Sequence, residues 1–345
     1  MNIISDNTIA RNVILSNINA NDDQKDKSGA DLRIKKIVYV ALGTLAALFL
    51  LTGILALTAV FLPYMTFAAV ATTIFKVVAI VTAVIFGIAA LTKAFDYVAP
   101  KLPRPLRIVA DRIHANLTEM FAVLTMAACY FVDLEKQNPK SVEGNNQIPI
   151  LLIHGLYHNS SAWIEYRKQL NDAKLGPIFT INLGNPFDSI DVYAQRVRDM
   201  VANIQRITGL KDIVLIGHSM GGVVATKFAL EFATEETKVT DIITIGSPLK
   251  GTSIAKYFGW GKGVREMRKG SDYLTVLNDK ILAQAKINFF HIASETDALV
   301  PIWSSLPQEN ENTKHLKISN IGHTALLLTS DVINPIIDYY KNRSV

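Results

Sequence analysis

From residue 147 onward, short apolar runs alternate with segments of helical spacing, and this alternation restricts the fold more than any other feature of the chain. The runs are 150–153, 178–183, 213–216, 242–245, 288–293 and 315–318. Amphipathic stretches over 162–171, 190–207 and 220–232 lie between them, and another over 332–341 closes the chain. A strand that is apolar on both faces has to be covered on both faces. Such strands separated by helices predict an α/β architecture, a mainly parallel sheet between two layers of helix. Ligands of such sheets bind beyond the carboxyl ends of the strands, so the polar residues at those ends are the ones that matter chemically.

The first such end reads Gly217-His218-Ser219-Met220-Gly221. It fits G-x-S-x-G, in which a strand passes into a helix so sharply that the central hydroxyl projects from the sheet. Small residues two before and two after are needed because the two backbones nearly touch there. The plain alternative is a tight strand-to-helix turn with a serine cap. Three further strand ends favour nucleophilic chemistry. After 150–153 come His154 and Gly155, where the backbone can turn its N–H groups into the cleft; Leu156 and Met220 are the expected oxyanion donors. His154 itself reads better as a loop-fixing hydrogen bonder than as a base.

After 288–293 a loop carries Glu295 and Asp297. A serine nucleophile needs an imidazole base, and the imidazole needs a carboxylate to hold its tautomer and its charge. Asp297 is the better placed, lying further beyond the strand, with Glu295 second to it. After 315–318 the chain runs through Gly322 to His323, the candidate base, with His315 inside the strand a poorer one. The order Ser219, Asp297, His323 matches one of the three known chain orders of this triad.

With "LIHGL", "GHSMGG", "TIGSPLKGTSIA", the acid loop and "GHTALL", residues from about 147 to 340 resemble α/β-hydrolases of the bacterial lipase and esterase type. The resemblance implies an ester hydrolase with an acyl-serine intermediate, Ser219 as nucleophile, His323 as base then acid, Asp297 as its partner, Leu156 and Met220 as oxyanion donors, and no cofactor. Two departures stand out. Leu249 occupies a position where many such lipases have histidine, and the two most N-terminal strands of the fuller fold are not evident. The stretch 250–285 carries Tyr257, Trp260 and Tyr273 among glycines, and reads either as a lid over an acyl pocket or as ordinary packing.

The N-terminal part has a different texture. Residues 1–34 read as a polar tail. Residues 37–75 carry no charge at all, a run of 39 against the roughly 20 that cross a bilayer once. A transmembrane hairpin within 35–99, with spans near 37–62 and 66–91, is the expectation; a buried hairpin of a soluble protein is the alternative. Lys76 inside the second span costs on the order of 2.5–3.5 kcal/mol at a helix centre. Arg33, Lys35 and Lys36 precede the spans, and Lys93, Lys101, Arg104 and Arg107 follow them. Two spans would therefore keep the catalytic domain cytoplasmic, and one would place it on the opposite side. A lone Cys129 forms no internal disulfide.

Residues 100–146 form a proline-rich linker and an amphipathic helix. Leu106, Val109, Ile113, Leu117, Met120, Leu124 and Phe131 make its apolar stripe, and Arg107, Asp111, His114 and Thr118 lie opposite. The stripe suits a bilayer surface and a protein partner equally. The net charge of +5 is modest and partly juxtamembrane, and no basic-aromatic array, metal-ligand spacing or phosphate loop is present. Nucleic acid, metal and nucleotide are thus not expected as partners; a lipid or acyl ester and the bilayer are. The same triad would serve a thioesterase or an acyltransferase, and a membrane-anchored binding module is the non-catalytic alternative.

Overall fold

The computed structural model describes residues 97–142, 146–234, 236–257, 260–284, 286–308 and 310–342, with isolated positions from 76 to 94. The tail 1–34 lies outside the described residues, and so, but for those positions, does the expected hairpin. No helix among the described residues is long and apolar enough to cross a membrane.

In chain order the elements are α1 Arg104–Cys129, β1 Ile150–Ile153, α2 Ile164–Asp172, β2 Ile178–Ile181, α3 Ile190–Thr208, β3 Asp212–His218 and α4 Met220–Lys227. There follow β4 Lys238–Ile245, α5 Lys262–Glu266, α6 Asp272–Ala283, β5 Asn288–Ser294, α7 Ile302–Ser305, β6 Thr313–Ile318 and α8 Ser330–Lys341. Six parallel strands form one sheet in the order β2-β1-β3-β4-β5-β6. All six anticipated strands are present. The second ends two residues earlier than expected, and the helix after Ser219 widens into a π turn over Phe228–Phe232.

The period-2 alternation of side chains explains why the strands look apolar throughout. Leu151, Ile153, Leu215, Ile242 and Phe289 point to one face and are buried with Tyr193 and Val197 of α3, Val223 of α4 and Leu277 of α6. Ile150, Leu152, Val214, Ile216, Ile243 and Ile292 point to the other, with Met126 of α1, Tyr166 of α2 and Ile333 of α8. Strands β1 to β5 therefore each belong to two cores, while β6 at the edge packs Leu316 and Ile318 against the second alone. Caps set the helix ends: Ser189 accepts the Val192 N–H at the start of α3, and Gly209 closes that helix with φ 72°.

The edge of the sheet at β2 is covered by one side chain. The amide of Asn138 accepts the Thr180 N–H at 2.9 Å and donates to the Thr180 carbonyl at 2.7 Å, doing what a neighbouring strand would do. Glu135 accepts the Asn182 N–H beside it at 2.7 Å.

Helix α1 packs through the face that hydropathy marks as polar. Ala110, His114, Ala115, Ala122 and Met126 are buried, whereas Leu106, Val109, Ile113 and Met120 of the apolar stripe are exposed, and so is Phe131 beyond its end. Small residues let the helix backbone come close, and polar ones bond the loop beneath it. The stripe faces outward.

Candidate active site

Strand β3 ends at His218 and α4 begins at Met220, so Ser219 alone makes the turn, with φ 54° and ψ −125°. A non-glycine residue in this region stores about 1–3 kcal/mol, held in place by its surroundings. Here the surroundings are close-packed main chain. A Cβ on Gly217 would overlap the backbone of Gly221 and Gly222, and one on Gly221 would overlap the carbonyls of Ile153 and His154. The Ser219 N–H donates to the Ile245 carbonyl at 2.9 Å, tying the elbow to β4. Ser219 remains partly exposed.

The loop after β1 runs directly beside it. A Cβ on Gly155, the residue before Leu156, would stand 3.0 Å from the Ser219 Cβ. His154 fixes this loop. Its Nε2 accepts the Leu183 N–H at 2.9 Å, so the proton sits on Nδ1 and is donated to the Gly155 carbonyl at 2.8 Å. Burial lowers its pKa to about 4, which keeps it neutral. Met220 occupies the first position of α4, where helix N–H groups lack carbonyl partners.

Asp297 and His323 meet. His323 Nδ1 donates to Asp297 Oδ2 at 2.6 Å, and the two side chains are 7% and 1% exposed. The other carboxylate oxygen, Oδ1, accepts the N–H groups of Leu299 and Val300 at 2.8 Å each, so the loop bends back to hold its own acid. Burial alone would depress the His323 pKa, but the Asp297 charge and hydrogen bond, with Glu119 adding to them, raise it above the ordinary histidine value. His218, the residue before Ser219, packs its ring 4.7 Å from that of His323 and donates Nε2–H to the His323 carbonyl at 3.1 Å. Burial, then the neighbouring His323, lowers the His218 pKa well below the usual value, so His218 stays neutral. No hydrogen bond joins Ser219 Oγ to His323 among the described residues; such pairs often tighten only around substrate.

The two second-ranked candidates stand elsewhere. Glu295 is exposed and accepts the Ser319 hydroxyl at 2.9 Å. His315 lies within β6, its ring 5.6 Å from that of His291. The stretch 250–285 divides in two. Val264, Met267, Leu274, Leu277 and Ile281 are buried in ordinary packing, while Tyr257 and Trp260 are exposed. The Tyr157 hydroxyl, next to Leu156, accepts the Trp260 N–H at 2.9 Å and donates to the Trp260 carbonyl at 3.1 Å, tying this exposed part to the loop after β1.

A family model described as "alpha/beta hydrolase fold" matches residues 148–270. Aspergillus fumigatus lipase B is similar in structure, with a TM-score of 0.52 at 14% identity over 60% of this chain and 56% of that one. The fold is that of an α/β hydrolase. The mature form of Bacillus licheniformis lipase BlEst2 has a TM-score of 0.49 at 18% identity, over 58% of this chain and 96% of that one. The Paleococcus ferrophilus monoacylglycerol lipase has a TM-score of 0.45 at 13% identity, over 57% and 95%. No curated protein sequence matches. Within the hydrolase fold, sequence reasoning passed over two residues near His323. His218 was seen only as a letter of the elbow motif. Glu119 lies in α1, more than 200 residues from His323, and its one signal was an acid beside Thr118 on the helix's polar side.

Proposed function

We propose that this chain is a membrane-anchored serine ester hydrolase that cleaves lipid or other acyl esters through an acyl-serine intermediate. The observation that carries the reading is the buried His323–Asp297 pair, packed against the residue that precedes a serine on a strained elbow. In the reaction, His323 Nε2 takes the Ser219 proton as Oγ attacks the ester carbonyl carbon. The carbonyl oxygen becomes an oxyanion and accepts the N–H groups of Leu156 and Met220, each worth about 2.7–4 kcal/mol if it acts as measured oxyanion donors do. The ester C–O bond then breaks, and the imidazolium gives its proton to the departing alcohol. Water, deprotonated by His323, attacks the acyl-serine, and the proton returns to Ser219 as the acid leaves. Asp297 stays ionised throughout and stabilises the imidazolium. His154 and His218, both held neutral, do not compete for the proton.

Two features support the membrane. The uncharged run 37–75 is long enough for two spans, and α1 turns an apolar stripe outward beside the exposed cations Lys101, Arg104, Arg107 and Arg112. That combination suits an interfacial helix on anionic lipid. A two-span anchor leaves the hydrolase on the cytoplasmic side and a one-span anchor on the other. Protease protection of the C-terminal unit in intact cells distinguishes them. Activity is tested by product profiling on a lipid panel with water or an added alcohol as acceptor. Release of free fatty acid that is lost in His323→Ala is the expected result. Transfer to the alcohol alone would reassign the enzyme as an acyltransferase, and full turnover by a folded His323→Ala would remove the base.

A further inference from the structure

Glu119 projects from α1 against the loop that carries His323. Its Oε2 accepts the N–H of Thr324 at 2.7 Å and of Ala325 at 3.1 Å. These are the first two amides of the turn Thr324–Leu327, for which His323 is the preceding cap residue. Such amides have no carbonyl within their own turn, so the carboxylate satisfies donors that would otherwise be buried alone. On the other side of His323, Gly322 lies so close to Glu119 that a Cβ there would come within 2.6 Å of the Glu119 Cβ and 2.9 Å of the Ala115 carbonyl. His114 Nδ1 bonds the Asn320 carbonyl at 2.7 Å, and Asn320 itself turns with φ 57°. Residues 114–119 of one helix thus hold residues 320–325, with His323 in the middle.

We propose that Glu119 is a positioning residue for the catalytic base, holding His323 in register with Asp297 and Ser219 and setting a second negative charge beside the imidazole. The inference rests on His323 being the base in the function proposed above. The two parts of the role separate chemically. A neutral acceptor in place of the carboxylate keeps a hydrogen bond to the turn but removes the charge, whereas a methyl group removes both. Burial raises the Glu119 pKa, opposed first by the charge of His323, so the two groups already sense one another. The arrangement also accounts for the orientation of α1. Part of its inner face is given over to the histidine loop, leaving Leu106, Val109, Ile113 and Met120 on the outside.

The test uses the full chain in detergent micelles, with Glu119→Gln, Glu119→Ala and Ser219→Ala beside the wild type. Three quantities are read: the His323 imidazole titration by NMR, the pH profile of kcat/KM on a p-nitrophenyl ester, and thermal unfolding. For Glu119→Gln the His323 titration and the acid limb of the profile both move to lower pH by about half a unit or more, since a nearby negative charge has been lost. KM changes by less than about twofold while kcat falls several-fold. Glu119→Ala, which also frees the loop, loses on the order of tenfold or more in kcat.

A Glu119→Gln variant with both titrations unmoved would overturn the proposal. So would a loss that is uniform in pH and tracks a lowered unfolding midpoint, since that would make Glu119 a structural residue only. The NMR titration reads Glu119 on His323 whether or not ester is turned over. A folded wild type with no Ser219-dependent turnover would therefore defeat the hydrolase reading alone, while the titration still decides whether Glu119 and His323 are coupled.

Discussion

Replacing Asp297 by asparagine changes one oxygen to an NH2 group, and the structure dictates which way that amide must face. Asp297 Oδ1 accepts two main-chain N–H groups, from Leu299 and Val300, while Oδ2 accepts His323 Nδ1–H. An asparagine that kept its oxygen toward His323 would turn its NH2 onto two N–H donors and leave both unsatisfied. At about 1–3 kcal/mol for each buried donor left alone, this orientation is disfavoured by roughly 2–6 kcal/mol. The amide therefore settles with oxygen on the loop and NH2 toward the imidazole. Nδ1 must then accept, the ring proton moves to Nε2, and Nε2 can no longer take the Ser219 proton as the proposed reaction requires.

A wrong tautomer in this type of triad costs about 10^4 in kcat, or about 5.4 kcal/mol of barrier. The assay is hydrolysis of a p-nitrophenyl ester at pH 7.5, with the loop's integrity checked by thermal unfolding. Activity of folded Asp297→Asn within tenfold of wild type would refute the argument, as would a larger loss in Glu295→Gln than in Asp297→Asn.

In the proposed reaction the raised His323 pKa would set the acid limb. The base must be neutral, so kcat/KM falls as pH drops through a midpoint above the ordinary histidine value of about 6.5, and a midpoint below it would contradict the environment described. His154 works in the opposite sense on stability. Its folded pKa of about 4 lies below the unfolded value, so its contribution is present above about pH 6.5 and is lost as pH falls toward 4, by an amount on the order of 3 kcal/mol. Chemical denaturation across that window reads it; in His154→Gln the slope should flatten. Gly221→Ala pushes a methyl group into the carbonyls of Ile153 and His154 and should destabilise the fold by ~3 kcal/mol, with loss of ester turnover. Asn138→Ala leaves the Thr180 N–H and carbonyl at the sheet edge without their side-chain partner, which should cost ~1–2 kcal/mol in denaturant unfolding and leave kcat unchanged.

Much of this was legible in the residues because the features are local. Ile213 to Ile216 followed by glycine, serine and two further glycines can make only a short strand, a sharp turn and a helix. The doubly apolar runs require a sheet covered on both sides. What escaped was carried by single side chains acting over long sequence separations. Asn138 closes the sheet edge at Thr180 from 42 residues away, and no periodic pattern announces an amide that stands in for a strand. The orientation of α1 was ambiguous for a different reason. Hydropathy counts Ala110, Ala115 and Ala122 as weak contributors and His114 and Glu119 as polar, although small residues permit the closest approach and these two polar ones are bonded to the loop below. Between Asp297 and Glu295 the position further beyond the strand already favoured Asp297; what the residues did not give was the pair of Leu299 and Val300 N–H groups that fold back onto its Oδ1.

The most direct measurement is covalent trapping of the full chain with a fluorophosphonate, followed by peptide mapping. A single adduct on Ser219, absent from Ser219→Ala and formed far more slowly in His323→Ala, is the result expected of an activated alcohol on this elbow. A folded wild type that takes no label, or that carries it on another residue, would contradict the claim that these side chains converge to do ester chemistry.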